Sequence, residues 1–136
     1  PRELACRCGG RFCKGEYFHH ETFLDRLEAL RELSGEALLL NSARRCKKHN
    51  AAVGGATRSQ HTLAMAADIS LTGLSATKLA RDALRAGFTT LGFGRSFLHV
   101  DIREERTAFH YPGADQAWRT RFGFDPVERY KRTGAL

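Results

Sequence analysis

No stretch of this sequence approaches the ~18 consecutive apolar residues of a membrane-spanning helix, so no spanning segment is expected in it. It holds no internal repeat and no low-complexity segment, which leaves an ordinary globular chain. Acidic residues are the scarcer charge: 15 Asp and Glu stand against 22 Lys and Arg, a formal charge of +7. That balance favours polyanionic surroundings. The basic residues are scattered and lack an interleaved set of base-stacking aromatics, so nucleic acid is not expected as a partner. Anionic polymers bearing carboxylates and phosphates, such as those of cell walls, suit the charge as well. The opening Pro1-Arg2-Glu3-Leu4 shows no secretory signal, and since the first residue is not Met this decides nothing about export.

A chain of 136 residues fits one domain, 1–136, able to bury a useful core. It begins with a cysteine-containing segment over 1–20 and ends in a basic tail over 119–136. In that tail Arg119, Arg121, Arg129, Lys131 and Arg132 read as a solvated face. A monomer is expected. Phe23, Leu27 and Leu30 recur at helical spacing and predict a helix over 21–33, ended by Gly35. A short buried strand is expected over 37–40, and a helical turn over 46–53 stopped by Gly54-Gly55. Residues 68–70 read as a strand. Ser75 caps a helix reaching Ala86, with Leu79, Ala83 and Leu84 inward and Gly87 as its stop. Residues 89–93 and 97–103 read as hairpin strands around Gly94-Arg95. Tyr111-Pro112-Gly113 is a turn, and a last short helix over 115–122 packs Trp118 down. Mixed elements with an antiparallel hairpin predict an α+β fold whose central sheet is mostly antiparallel and flanked by helices.

Two segments carry the chemistry. Ser59-Gln60-His61-Thr62-Leu63-Ala64-Met65-Ala66-Ala67-Asp68 sets a histidine and a carboxylate around a small apolar run, and Phe97-Leu98-His99-Val100-Asp101 adds another of each. The apolar run leads into a buried strand, so Asp68 is a carboxylate held inside, costly unless paired or metal-bound. Leu98-His99-Val100-Asp101-Ile102 alternates, with His99 and Asp101 on one face and its apolar residues on the other. Taken singly, a His-x6-Asp or a His-x-Asp pair is most often a surface group or a satisfied partner of a core. Together, two histidines and a carboxylate from separated segments match a catalytic zinc, which takes three protein ligands and leaves a position for water. His61, Asp68 and His99 are the candidate ligands, and metal-assisted hydrolysis is the reaction class they indicate. His19, His20 and His49 read as exposed polar residues.

Cys6, Cys8, Cys13 and Cys46 make an even count in a small chain. Three readings stand open: a disulfide framework, a structural zinc site, and reduced thiols.

Ser59-x-His61-x6-Asp68 followed by His99-Val100-Asp101 resembles the zinc D-Ala-D-Ala carboxypeptidases and related peptidoglycan peptidases of the M15 group, which share a fold with the hedgehog signalling domain. The group's usual pattern is Ser-x-His-x-x-Gly-x-Ala-x-Asp; here Ala64 stands at the glycine, with Ala66 and Asp68 kept. Asn41-Ser42-Ala43-Arg44-Arg45-Cys46 is similar to its Ser-Gly-Tyr-Arg turn, with Ala43 and Arg44 replacing Gly and Tyr. Residues 50–56 read like the link from that turn to the first metal histidine. The resemblance covers roughly residues 3–118.

The resemblance implies a zinc peptidase cutting peptidoglycan stem peptides at D-alanyl bonds, periplasmic, wall-associated or part of a phage lysin. It also implies that Arg45 holds the substrate's terminal carboxylate through two parallel hydrogen bonds, with Ser59 adding another. A disulfide or zinc at Cys46 would then stiffen that arginine. Many relatives carry a glutamate three residues before the last zinc histidine, or a histidine two before it; Ser96 and Phe97 stand there. Asp101 is therefore the candidate catalytic base, or else a partner that orients His99, which would leave Glu104, His110 or the substrate itself as alternatives. A zinc-bearing module of the same fold that binds without catalysis is the second reading of the chain.

Overall fold

The computed structural model describes residues 2–15, 20–63 and 65–136; Pro1, His19 and Ala64, named above, lie outside the described residues. Apolar spacing and caps account for the helices. Helix α1 (Glu21–Ser34) starts at His20, whose Nδ1 accepts the Phe23 N–H at 3.2 Å, so His20 serves as a cap rather than a free surface group. Helix α2 (Lys47–Ala52) is capped by the Cys46 thiol, and α3 (Ala76–Arg85) by the Ser75 hydroxyl. Helix α4 (Asp115–Phe122) buries Trp118 completely, its indole N–H donating to Gly94 O at 2.7 Å.

Five strands form one sheet: β1 (Leu40–Ser42), β2 (Ala66–Ser70), β3 (Thr90–Phe93), β4 (Phe97–Asp101) and β5 (Thr107–His110), in the order β1-β2-β4-β3-β5. All neighbours are antiparallel except β3 and β5. The chain thus adopts the α+β fold with a mostly antiparallel sheet. The strand expected over 37–40 is displaced to Leu40–Ser42. Its partner β2 runs out at Ser70 opposite this end, so Ala37 and Leu38 have no strand to pair with, and Ala37 and Leu39 are exposed. Strand β5 was not foreseen. It holds only four residues and is recruited by the free edge of β3.

The pleat sorts side chains into two sets. Ala67, Ile69, Leu91, Phe93, Leu98, Val100 and Ala108 point to a core completed by Phe23 and Leu30 of α1 and by Leu79, Ala80 and Ala83 of α3. Residues of the opposite parity, including Asp68, His99, Asp101, Thr90, Gly92 and Phe109, share the other face. Burying the apolar set against helices therefore leaves the polar set on the face where a site can form.

The basic segment 119–136 carries the end of α4 and all of α5 (Pro126–Thr133), which packs on β5 with Pro126 and Tyr130 buried. Arg119, Arg121, Lys131 and Arg132 are exposed, whereas Arg129 lies over the Phe124 ring, 3.7 Å from its centroid. Asp125 holds this end together. Its carboxylate accepts the Val127 and Glu128 N–H groups at the start of α5 and pairs with Arg119 at 3.0 Å and His110 at 3.2 Å.

Burial favours the neutral acid at Asp125, but the His110 contact, the capped N–H groups and Arg119 outweigh it and hold the carboxyl below its ordinary 3.8. A depressed carboxylate contributes stability that is complete above the ordinary value and is lost as pH falls through the folded one. Asp125→Ala is therefore expected to cost about 1–2 kcal/mol near neutral pH, with the deficit shrinking below about pH 4. Urea unfolding of both proteins across that range measures it; a deficit independent of pH would contradict this role.

Candidate metal centre

The pairing of β2 with β4 sets Asp68 directly opposite His99. Asp68 Oδ1 lies 2.9 Å from His99 Nδ1 and 3.3 Å from His61 Nε2. One donor atom from each of these residues falls within 4.8 Å of the other two. His61 comes from a short 3-10 turn (Gln60–Leu63) locked to the preceding 43–45 turn from both sides. Its Nδ1 donates to Ala43 O at 2.5 Å, and its carbonyl accepts the Arg45 N–H at 3.1 Å. Nδ1 thus carries a proton, and Nε2 faces Asp68. That Nε2 is buried without a hydrogen-bond partner among the described residues.

His99 is held at its far nitrogen. Nε2 lies 2.8 Å from Asp101 Oδ2. Asp101 is wholly buried and gripped by Arg103, whose Nε reaches Oδ1 at 3.0 Å and whose Nη2 reaches Oδ2 at 2.6 Å. The Arg103 backbone N–H adds a third bond, at 3.2 Å. Asp101 therefore stands behind the imidazole and not among the residues lining the cleft, which accords with the second of its two expected roles, orienting His99, over that of a catalytic base. A base must reach the proton it takes, and both of these oxygens are already engaged. Burial disfavours charge on His99, yet Asp101 and Asp68 on either side raise its pKa above the ordinary value. Burial likewise works against Asp68, and the two histidines overcome it, holding the carboxyl well below the usual range.

These residues fit a metal ion. Nitrogen and oxygen ligands about 2.0–2.2 Å from a tetrahedral zinc stand about 3.3 Å apart, close to the 2.9 and 3.3 Å here. Each histidine keeps one nitrogen for the ion and commits the other to a carbonyl or a carboxylate, the arrangement that fixes tautomer and ring orientation in metal sites.

The three residues open on a cleft of about 390 Å³ that Arg45, Ser59, Arg103, Phe109 and Tyr111 also line. Arg45 Nε is buried and finds no hydrogen-bond partner among the described residues. A Cβ on Gly55 would strike the Asn50 amide and come 3.1 Å from Arg45 Nη1, so the glycine leaves the room this guanidinium occupies. Ser59 Oγ accepts the His61 N–H at 3.2 Å, which leaves its own O–H free to donate. Burial, reinforced by Asp68, pushes the Tyr111 phenol up, so it stays protonated.

Tyr111, Phe109 and Arg103 were missed in the sequence. The odd-numbered alternation Thr107, Phe109, Tyr111 was the available signal, obscured because Tyr111-Pro112-Gly113 also makes the turn. His110 falls on the core side of β5, against Phe93 and Asp125, and Glu104 is exposed outside the cleft wall.

The family model described as Peptidase M15 matches residues 1–102, a span that includes His61, Asp68, His99 and Asp101. A comparison with curated proteins finds no match.

Gly92 sits opposite both His99 on β4 and Phe109 on β5. A Cβ there would lie 2.7 Å from the Phe109 ring and 2.9 Å from His99 Cβ. Gly92→Ala is expected to cost about 1–3 kcal/mol through overpacking and to weaken binding of a divalent ion by shifting His99 away from Asp68. Calorimetric zinc titration of parent and variant is the measurement; equal affinities would contradict this placement of the glycine.

Proposed function

The chain belongs to the M15 peptidase family, and from that premise we propose that it is a zinc-dependent hydrolase of peptidoglycan stem peptides, cutting at a D-alanyl bond as a carboxypeptidase or endopeptidase. The observation that carries this reading is the convergence of His61 Nε2, Asp68 Oδ1 and His99 Nδ1 beneath a cleft that also presents Arg45. The metal dependence of the family accords with that donor set. In this reading the protein acts as a monomer at the cell wall, in the periplasm or as part of a phage lysin.

His61, Asp68 and His99 would hold the ion. Zinc, when bound, supplies a Lewis acid for the scissile carbonyl and a means of activating water at neutral pH. Arg45 takes the terminal carboxylate of the peptide in a two-pronged bond that also uses its unpartnered Nε. The Ser59 hydroxyl donates to the same carboxylate. Tyr111, held protonated, donates to the carbonyl oxygen as negative charge grows on it. Phe109, whose ring centroid is 5.3 Å from that of Tyr111 and 5.8 Å from that of His99, walls the site and excludes water. Asp101 and Arg103 position His99.

A second reading, a zinc-bearing module that binds wall or protein partners without turnover, draws on one observation. Among the described residues lining the cleft, no carboxylate or imidazole stands apart from the three candidate ligands to serve as a base.

Turnover separates the two readings. A peptide ending in D-Ala-D-Ala should be cleaved, cleavage should stop with chelator and return with zinc, and His61→Ala should abolish it. Metal binding without any turnover would select the second reading. Arg45→Ala should keep zinc and lose chiefly on peptides with a free carboxylate. Arg45→Lys should rescue poorly, since lysine offers a point charge instead of a fork. Equal losses on amidated peptides would remove Arg45 from carboxylate recognition.

Asp101→Asn should weaken zinc affinity by roughly ten- to a hundred-fold, with excess zinc restoring much of the rate. A fall of ~10²–10⁴ in kcat with zinc fully retained is what a general base would give, and that result would overturn the positioning role.

A further inference from the structure

Three of the cysteines fall within residues 6–13 and the fourth, Cys46, comes from a distant turn, yet all four meet in one place. Cys6 and Cys46 are buried, Cys8 and Cys13 are partly covered, no disulfide joins any two of them, and their sulfurs lie within 4.8 Å of one another. Cys8 and Cys13 stand 3.6 Å apart, sulfur to sulfur. Four thiolates about 2.3 Å from one tetrahedral ion are separated by about 3.8 Å. Two disulfides would instead bring each sulfur to about 2.0 Å from a single partner and give the pairs no reason to converge.

The backbone around the cluster is arranged for sulfur as acceptor. The N–H groups of Phe12 and Cys13 both point at Cys8 Sγ at 3.4 Å. Cys46 N–H points at Cys6 Sγ at 3.3 Å, and His49 N–H at Cys46 Sγ at 3.4 Å. His49 Nδ1 lies 3.3 Å from Cys6 Sγ, so this histidine belongs to the cluster's surround and is not a free surface group. Donors aimed at sulfur favour the charged thiolate. Arg7, Arg11, Lys14, Lys47 and Lys48 flank the ligands and are exposed, a countercharge suited to a four-thiolate zinc centre of net charge −2.

We propose that Cys6, Cys8, Cys13 and Cys46 bind a second, structural zinc ion that ties the N-terminal segment to the turn bearing Arg45. On binding, four thiols release their protons to solvent and four Zn–S bonds form, with no change of oxidation state. A soft, all-sulfur tetrahedral set selects zinc over harder cations. The closed shell leaves no position for water, so this centre is not a second reaction site. It acts on the cleft through Cys46, which follows Arg45 directly and caps α2. The proposal stands apart from the catalytic reading, since it uses none of the same ligands.

The test is elemental analysis of the full chain with cobalt as a spectroscopic probe. The His61→Ala, Asp68→Ala double variant should still hold one zinc per chain. Its cobalt form should show intense thiolate-to-cobalt charge-transfer absorption in the near ultraviolet. Cys8→Ser with Cys13→Ser should lose that absorption. Should that variant fail to fold, the zinc content and absorption of the His61, Asp68 double variant decide together with the parent's thiol count: denatured in chelator without reductant, the parent should expose four titratable thiols. Fewer than four thiols would establish disulfides and overturn the proposal. A double variant at His61 and Asp68 that holds no zinc and shows no charge-transfer band would overturn it as well.

Discussion

The site depends on one strand register. Asp68 and His99 face each other because β2 meets β4 with Ile69 against Leu98 and Ala67 against Val100. A slip of a single residue would turn every side chain of β2 to the opposite face. Ala67 and Ile69 would then leave the core, and Asp68 would enter it. The apolar residues therefore fix those of the opposite face: burial of Ile69, Leu98 and Val100 under α1 and α3 is what holds a carboxylate and an imidazole 2.9 Å apart there.

From that pair the remaining parts follow in order of distance. Asp101, two residues along β4, shares the face of His99 and can reach its outer nitrogen; Arg103 then offsets the cost of a buried carboxylate with three hydrogen bonds. Gly92 clears the space beneath His99 that any side chain would fill. His61 arrives separately, on a turn that exchanges hydrogen bonds with residues 43 and 45. The same exchange brings Arg45 to the rim, so the third candidate ligand and the arginine lining the cleft are placed by one local structure. The cysteine cluster lies immediately behind that structure, at Cys46.

Much of this was legible in the sequence because it rests on short-range pattern. Alternation through Leu98-His99-Val100-Asp101-Ile102 separated core from site correctly, and Ser75, Gly35 and Gly94 marked element ends that the fold respects. The Asp115–Phe122 helix with Trp118 inward follows from the same kind of signal. What escaped depends on contacts between distant segments. Strand β5 is too short to announce itself and exists because β3 offers a free edge. With β5 unmarked in the sequence, Phe109 and Tyr111 stay hidden as parts of the cleft. The depth of Asp101 was equally hidden, because alternation gives the face a side chain takes and not whether another side chain covers it. The convergence of four sulfurs required knowing that residues 6–13 fold against residue 46.

The central claim is that a single ion is held by His61 Nε2, Asp68 and His99 Nδ1, with the other nitrogen of each histidine committed to the protein. Anomalous diffraction at the zinc edge from zinc-loaded crystals tests it most directly. A peak within bonding distance of those three atoms, with His99 Nε2 still against Asp101, is the predicted result. A crystal with no peak between the three residues, or one in which the ion binds His99 through Nε2, would contradict it.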